Sequence, residues 1–381
     1  MRLLRSGLSR ADVQAHAREL VEALFRNIPC GVGSRRKDFK LDQKELKRVL
    51  ADGVQWTLKH GYGNTEDRDH IEAEGCIANA DPDQVGDRAL ERGRAQLGTL
   101  GSGNHFVEVG YVKEIYDADT AAAFGLEKDQ ATVLIHTGSR GLGHQVCDDY
   151  LAVMLKAARR YGIDLPDRQL CCAPVDSKEG RDYLAAMAAA ANFAFVNRQM
   201  ITHWTRETFA RIFPGGGDIR LPLVYDVCHN IAKLETHLVE GKEREVCVHR
   251  KGATRAFPPG HPQTPERYRT VGQPVLVPGD MGRYSFVLVG TAAGYRETFG
   301  SACHGAGRKM SRKQAKKAAK GRAIARELED RGIVVRGASI GTIVEEMPDA
   351  YKDVDDVVNV LHHAGISRKV AKLAPLAVIK G

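Results

Sequence analysis

The chain has 381 residues, 43% hydrophobic and 27% charged, which suits one large or two ordinary globular domains around a sizeable core. No run of about 18 apolar residues occurs, and the first residues lack the basic, apolar and small-residue order of a secretory leader, so neither a membrane span nor export is expected. The formal net charge of +8 points to a polyanionic partner.

Residues 9–27 carry helical periodicity, with Ser9 as N-cap and Val13, Leu20, Val21 and Leu24 on one side. A Gly/Pro loop over 28–33 follows, then a helix near 42–59 capped by Asp42, then a loop-rich stretch over 60–103. Short apolar runs predict strands at Phe106–Val109, Thr132–Ile135, Leu221–Val227, Val246–Val248, Val275–Val277, Ser285–Val289 and Ile333–Val335. Long helical patterns occupy roughly 143–162, 180–212, 311–331 and 354–363. The terminal run Pro375-Leu-Ala-Val-Ile-Lys-Gly381 is apolar enough to dock rather than fray. There is no repeat and no low-complexity linker. Irregular mixing of strands and helices predicts a single α+β domain over 1–381, without βαβ alternation. Eight cysteines at 30, 76, 147, 171, 172, 228, 247 and 303 form no CxxC pair, which favours reduced thiols in the cytoplasm over a disulfide framework or a zinc knuckle.

The run Ser301-Ala-Cys-His-Gly-Ala-Gly-Arg-Lys309 sets His304 against a small-residue turn that is expected to open a basic helix. Free N–H groups at such a turn would face an anion, with an imidazole placed to attack phosphorus. A tight turn whose histidine only makes a hydrogen bond is the alternative. Arg308, Lys309, Arg312, Lys313, Lys316, Lys317, Lys320, Arg322 and Arg326 follow with no acidic residue before Glu327. Nucleic acid is the economical partner for that run, because a merely solvated helix face usually interleaves acids.

His105, His136 and His229 also sit in Gly- or Asn-rich junctions beside predicted strands, where a rigid scaffold presents functional side chains. Neutral imidazoles suit manganese, zinc, iron or nickel, and the absence of a helix-borne HExxH motif means that any site is assembled from distant strands. Arg140 could fork onto a phosphate. His144, His249, His362 and His363 have weaker surroundings and read as structural or surface residues. Neither the P-loop pattern nor a KxDG tetrapeptide occurs.

GSGNHFVE at 101–108, HTGSRGLGHQ at 136–145, CHNIAK at 228–233, HRKGATRAFPPG at 249–260, CHGAGRKMSR at 303–312 and the terminal VIKG together resemble the RtcB-type RNA-splicing ligases. The resemblance runs from Arg2 to Gly381. It implies a fold of mixed sheets surrounded by helices. The implied activity is GTP- and manganese-dependent joining of RNA ends bearing a 2′,3′-cyclic phosphate or 3′-phosphate to 5′-hydroxyl ends, in tRNA splicing or RNA repair.

By the same resemblance His304 is the residue that takes GMP, and His105, His136 and His229 are ligands of two Mn²⁺ ions. The implied nucleotide contacts are Asn104, His105, Phe106, Val107, Glu108, His229, Asn230, Pro278, Gly279, Asp280, Met281, Ser285, His304, Gly305, Ala306, Gly307, Tyr351 and Lys380. Asp280 departs from the Ser common in the family, which leaves an acceptor contact to a guanine N–H. The family's Asp-x-x-Cys-Gly motif, which supplies an aspartate ligand and a bridging thiolate, would fall just upstream of Met1. An N-terminally truncated chain is therefore expected, and Cys30 is a poor replacement for the thiolate. A dinuclear-metal phosphoesterase and an RNA-binding homologue of impaired activity are the rival readings.

Overall fold

The computed structural model describes residues 1–215 and 220–381. Its centre is an eight-stranded mixed sheet. Seven strands run in the order β4 (Leu223–Asp226), β1 (Arg2–Ser9), β3 (Gln130–His136), β2 (Phe106–Ile115), β12 (Ser367–Lys380), β9 (Ser285–Gly290) and β8 (Pro274–Pro278). The eighth, β11 (Val334–Gly337), pairs with the end of β12 in parallel. Two separate ribbons complete the strands: β5 (Asn230–Val239) with β6 (Lys242–Lys251), and β7 (Ala253–Arg255) with β10 (Ser301–Cys303). The mixed α+β class expected from the sequence is the class observed.

The sheet separates two cores by simple alternation. Leu4, Val107, Val133, Ile135, Ala377 and Ile379 face one layer, where they meet the helices Ala17–Asn27, Gln43–Asp52 and Lys178–Ile212. Leu3, Phe106, Leu134, Val224 and Val378 face the other, with the helices Ala118–Phe124, Arg312–Ala318 and Ile324–Glu329. Burial of this many side chains at ~25 cal/mol per Å² of apolar area is the main stabilising term. A smaller cluster packs Val354, Val358 and Leu361 of the helix Val354–His363 onto Val275, Val277, Phe286 and Leu288.

Local chemistry explains most element ends. Ser9 accepts from the Asp12 amide in a capping box, as its position suggested, and the helix then breaks at His16. The expected helix over 42–59 is two, because Gly53 at φ 54° interrupts it, and a Cβ there would lie 2.2 Å from the Gly75 carbonyl oxygen. The pattern over 311–331 is likewise two short helices. Helical spacing could not show these breaks, since periodicity continues through them. Strands β1, β5, β7 and β10 were not expected: the first hides in Arg2-Leu-Leu-Arg-Ser, where the two arginines disguise a buried strand. No helix among the described residues is long and apolar enough to cross a membrane.

One buried ion-pair network ties the sheet to the long helix. Asp226 at the end of β4 accepts from Arg2 Nε at 2.7 Å and Arg198 Nε at 2.8 Å, all three with essentially no solvent access. Arg198 also donates to the Thr137 carbonyl at 3.0 Å, and Arg2 to Thr202 at 3.0 Å. Burial pushes the Asp226 carboxyl up, but the Arg198 and Arg2 guanidiniums more than reverse it and hold it below the ordinary carboxylate range. Asp226→Asn should therefore cost about 3–5 kcal/mol in urea unfolding at pH 7, because it strands buried cations. The folded carboxyl titrates below its unfolded value of about 3.9, so this contribution is complete above that pH and is lost as pH falls through the folded value. The wild-type advantage should hold from pH 8 to 5 and close only in stronger acid; a gap that narrowed between pH 7 and 6 would contradict the assignment.

Candidate active site

Register builds the site. Phe106 at the start of β2 lies opposite His136 at the end of β3 and opposite Lys380 at the end of β12. Two residues along, Glu108 pairs with Val378, so Phe106, Glu108, Val378 and Lys380 share one face at one end of the sheet. The neighbouring row pairs Arg2 with both Ile135 and Asp226, and beyond Asp226 the chain turns through Val227 and Cys228 to His229. Glu72, itself buried, grips this turn. It accepts from the Cys228 amide at 2.8 Å and from Lys233 Nζ at 2.7 Å. Burial raises its pKa, but Lys233 and Arg255 outweigh that and bring it to about 2.

His304 arrives from another direction. It follows β10, whose Cys303 pairs with Ala253 of β7, and its amide donates to the Gly252 carbonyl. Contrary to the sequence expectation, the Gly305–Gly307 turn does not open a helix, since helical structure begins only at Arg312. Instead the turn is held from both sides: Ala306 N donates to the Pro278 carbonyl at 3.2 Å and Lys352 N to that of Gly307 at 3.0 Å.

The four histidines converge. The rings of His229 and His304 stack at 4.8 Å with an 11° interplanar angle. His136 stands 5.0 Å from His229, 6.3 Å from His304 and 6.4 Å from His105, between centroids. All four are held neutral, primarily by burial. His105 is lowered to about 3, with Arg140 and Lys380 adding to the effect, and His136 and His229 fall well below the usual value. His304 is lowered too, although a hydrogen bond to the Gly252 carbonyl offsets part of the effect.

Nε2 of His136 lies 3.3 Å from Nε2 of His229, a separation close to the ~3.4 Å between two nitrogens on one tetrahedral ion at ~2.1 Å. The donor set stops at that pair. Among the described residues no group of three or more His, Cys, Asp and Glu is arranged to hold a metal ion. His105 Nδ1 accepts from the Gly101 amide at 3.0 Å and faces Thr137 Oγ1 at 2.9 Å, so a neutral ring carries its proton on Nε2.

Beside the histidines is a cavity of about 270 Å³. It is lined by Asn104, Phe106, Glu108, His136, the segment 278–281, Ser285, the segment 304–307, Tyr351 and Lys380, all singled out from the sequence. Of the remaining candidates, His105 and His229 belong to the imidazole cluster behind it. Val107 points into the opposite core, and Asn230 is exposed, paired in the ribbon with Lys251. Lys251, Arg308, Arg312, Glu346 and Val378 also line the cavity. Of these Glu346 carried no sequence signal, lying in a segment to which no element or motif was assigned, while Val378 opens the terminal VIKG motif. A larger groove of about 1480 Å³ runs past Ile231–Glu235, and none of its walls is a histidine.

Of the carboxylates that line the cavity, two were singled out from the sequence, Glu108 and Asp280. Burial, with the Asp280 charge added, raises Glu108 to about 8. Asp280 is also raised by burial, but both its oxygens are engaged, by the Gly282 amide at 3.0 Å and Arg283 Nε at 2.6 Å. Its place in the turn is therefore that of a clamp, and Glu108 is the freer acceptor. Arg140 is not free for a ligand either. It sits at φ 53° and donates to Thr99 Oγ1, Ser34 Oγ and the Gly31 carbonyl. Cys30 is hydrogen-bonded to the Ile28 carbonyl and pushed up to about 12 by burial, unlike a thiolate ligand.

The site thus sets neutral imidazoles at the border of a cavity whose wall carries Lys251, Arg308, Arg312 and Lys380. The family model described as tRNA-splicing ligase RtcB matches residues 1–381. Curated tRNA-splicing ligases RtcB of Methanocaldococcus jannaschii, Archaeoglobus fulgidus and Thermococcus kodakarensis are each 53% identical over 382 aligned positions, which cover 100% of this chain. The chain belongs to the RtcB family. It spans 39% of the length of the first of these relatives and 79% of the other two.

The close approach at Gly101 gives a direct test of how tightly the cluster is set. A Cβ there would fall 2.4 Å from both His105 Nδ1 and Arg140 Nη1, whereas one at Gly138 would meet nothing within 4 Å. Gly101→Ala should lower the unfolding free energy by about 1–3 kcal/mol and Gly138→Ala by much less; equal effects in chemical denaturation would show the His105 pocket to be slack.

Proposed function

We propose that this chain is the catalytic part of an RNA ligase that joins 2′,3′-cyclic phosphate or 3′-phosphate ends to 5′-hydroxyl ends through GMP carried on His304. Membership of the RtcB family supports the ligase class and tRNA splicing as its setting. One observation carries the finer reading: a neutral imidazole stacked on a second, at the edge of a cavity with Lys251, Arg308 and Lys380 in its wall.

Burial keeps the His304 ring neutral, and its unprotonated nitrogen offers a lone pair to the α-phosphorus of GTP. The new N–P bond forms as the P–O bond to pyrophosphate breaks. Lys380, Lys251 and the Gly305 and Gly307 amides supply preorganised positive potential for the phosphoryl oxygens. Glu108 is placed to accept from the guanine N–H edge. A cyclic phosphate is first opened by water. An oxygen of the RNA 3′-phosphate then takes GMP from His304, and attack by the 5′-hydroxyl on that phosphate expels GMP and closes the strand.

Divalent ions, Mn²⁺ by family resemblance, would be held by His136 and His229, with His105 joining once its Nδ1 gives up its present contacts. When bound they would neutralise phosphoryl charge. His304→Ala should abolish covalent labelling by [α-³²P]GTP; label persisting on that variant would remove His304 as the nucleophile.

The basic segment divides its labour. Arg308, Arg312 and Lys316 pair with Glu345 and Glu346, and Arg322 with Glu327 and Asp349. Lys309, Lys313, Lys317 and Lys320 are exposed, and their side chains make no hydrogen bond or ion pair with any of the described residues, which leaves them to track a phosphate backbone. A second basic cluster, Arg35-Arg36-Lys37 with Lys40, is also expected to meet RNA backbone, and its Arg35, Lys37 and Lys40 are exposed. Arg36 is buried, bound to Asp38 and stacked on Trp204, and leaves the RNA-binding set. Replacing the four free lysines by Gln should weaken single-stranded RNA binding and flatten the log K against log salt slope by up to about 0.7 per lost contact. An unchanged slope would place the RNA path elsewhere.

A further inference from the structure

The cavity contains a carboxylate to which neither the sequence nor the reaction above assigns a task. Glu346 follows the helix Ile340–Glu345 and is 1% exposed. Its Oε1 accepts from Arg308 Nη1 at 3.0 Å and lies 3.8 Å from Arg312 Nε. Its Oε2 accepts from the Tyr351 hydroxyl and lies 3.8 Å from Lys380 Nζ. Groups from four segments thus meet on one buried anion. They come from the stretch after the His304 turn, the helix Arg312–Ala318, the Tyr351 bridge and the end of β12.

The contacts are graded. Arg308 is fully committed: besides Glu346 it donates to the Glu345 carbonyl at 2.7 Å and the Met310 carbonyl at 3.0 Å, and its guanidinium stands 5.1 Å from the Tyr351 ring centre. Lys380 is held at 3.8 Å, too far for a hydrogen bond, so the carboxylate steadies the ammonium while leaving its donors to the cavity. Like charges this close, in a setting with little water, repel strongly unless an anion sits among them. Burial lowers the Lys380 pKa, and Glu346 is the largest of the carboxylate influences that oppose this fall, ahead of Glu108 and Asp280.

We propose that Glu346 is a positioning residue for nucleotide transfer: it gathers Arg308, Tyr351 and Lys380 so that the Lys380 ammonium meets the phosphoryl group attacked by His304. The proposal rests on the nucleotide-transfer reading of this cavity. A plain packing role, in which Glu346 only fastens the 340–350 segment to the 308–312 loop, makes a different forecast. It would weaken every ligand of the cavity alike.

Glu346→Gln keeps the shape and removes the charge. The whole chain would be compared with the wild type in two measurements: the dissociation constants of guanosine and GTP by titration, and the single-turnover rate of [α-³²P]GTP labelling at His304. We expect guanosine affinity within about twofold of wild type and labelling slower by at least about tenfold, roughly what one misplaced charged donor costs. Glu346→Asp, which retains the charge, should recover part of that loss, and it carries the same comparison should the Gln variant not fold. Labelling at the wild-type rate, or guanosine and GTP affinities falling in parallel, would overturn the proposal. A wild-type chain that takes no label would show instead that the nucleotide-transfer reading had failed, before any variant is compared.

Discussion

Everything at the working end of this protein hangs on Asp226 lying between Arg2 and Arg198. A carboxylate without solvent is tolerable only with charge and hydrogen bonds around it, and here the partners come from β1 and from the longest helix. The arrangement fixes β4 against β1, and it fixes Arg198, whose other nitrogen holds the Thr137 carbonyl. Thr137 follows His136 and touches His105, while His229 lies three residues past Asp226. One buried salt-bridge network therefore sets the positions of three histidines that the chain carries 31 and 93 residues apart.

The site that results is an electrostatic contrast. Burial strips the imidazoles of their protons, leaving lone pairs where nucleophilic or ligating nitrogen is useful. Beside them burial also works against the Lys380 ammonium, and carboxylates oppose it: Glu346, which also pairs with Arg308, ahead of Glu108 and Asp280. The proposed attack on GTP rests on that pairing, in which a ring supplies electrons and nearby cationic side chains receive the displaced charge.

How the elements could be read depended on what their residues had to satisfy. The helix over 354–363 was legible to the residue, because its apolar stripe is complete and Asp353 caps it. The helix over 180–212 was clear in extent, extended by two residues at Ser177 and its capping hydroxyl. β12 was visible only over its last, unbroken apolar run, since upstream Arg368, Lys369 and Lys372 interrupt the alternation. Arg140 looked like a phosphate ligand from its Gly-Ser-Arg-Gly context, yet its fork is spent on Thr99, Ser34 and Gly31, partners 41 to 109 residues away. Arg36 was hidden in a run of cations by the same kind of long-range contact.

By itself the sequence determined the residue types at the site, the family they resemble and the alternation that makes one sheet with two cores, because short-range spacing and motif chemistry survive in one dimension. Tertiary structure alone decided which cations are free and which are paired. It also decided that Asp280 is a clamp while Glu346 is a hub, and that His304 stacks on His229. These are properties of distance and burial. A side chain's charge, tautomer and availability depend on neighbours brought in by register and by the buried Asp226 pair, and no local pattern encodes who those neighbours will be.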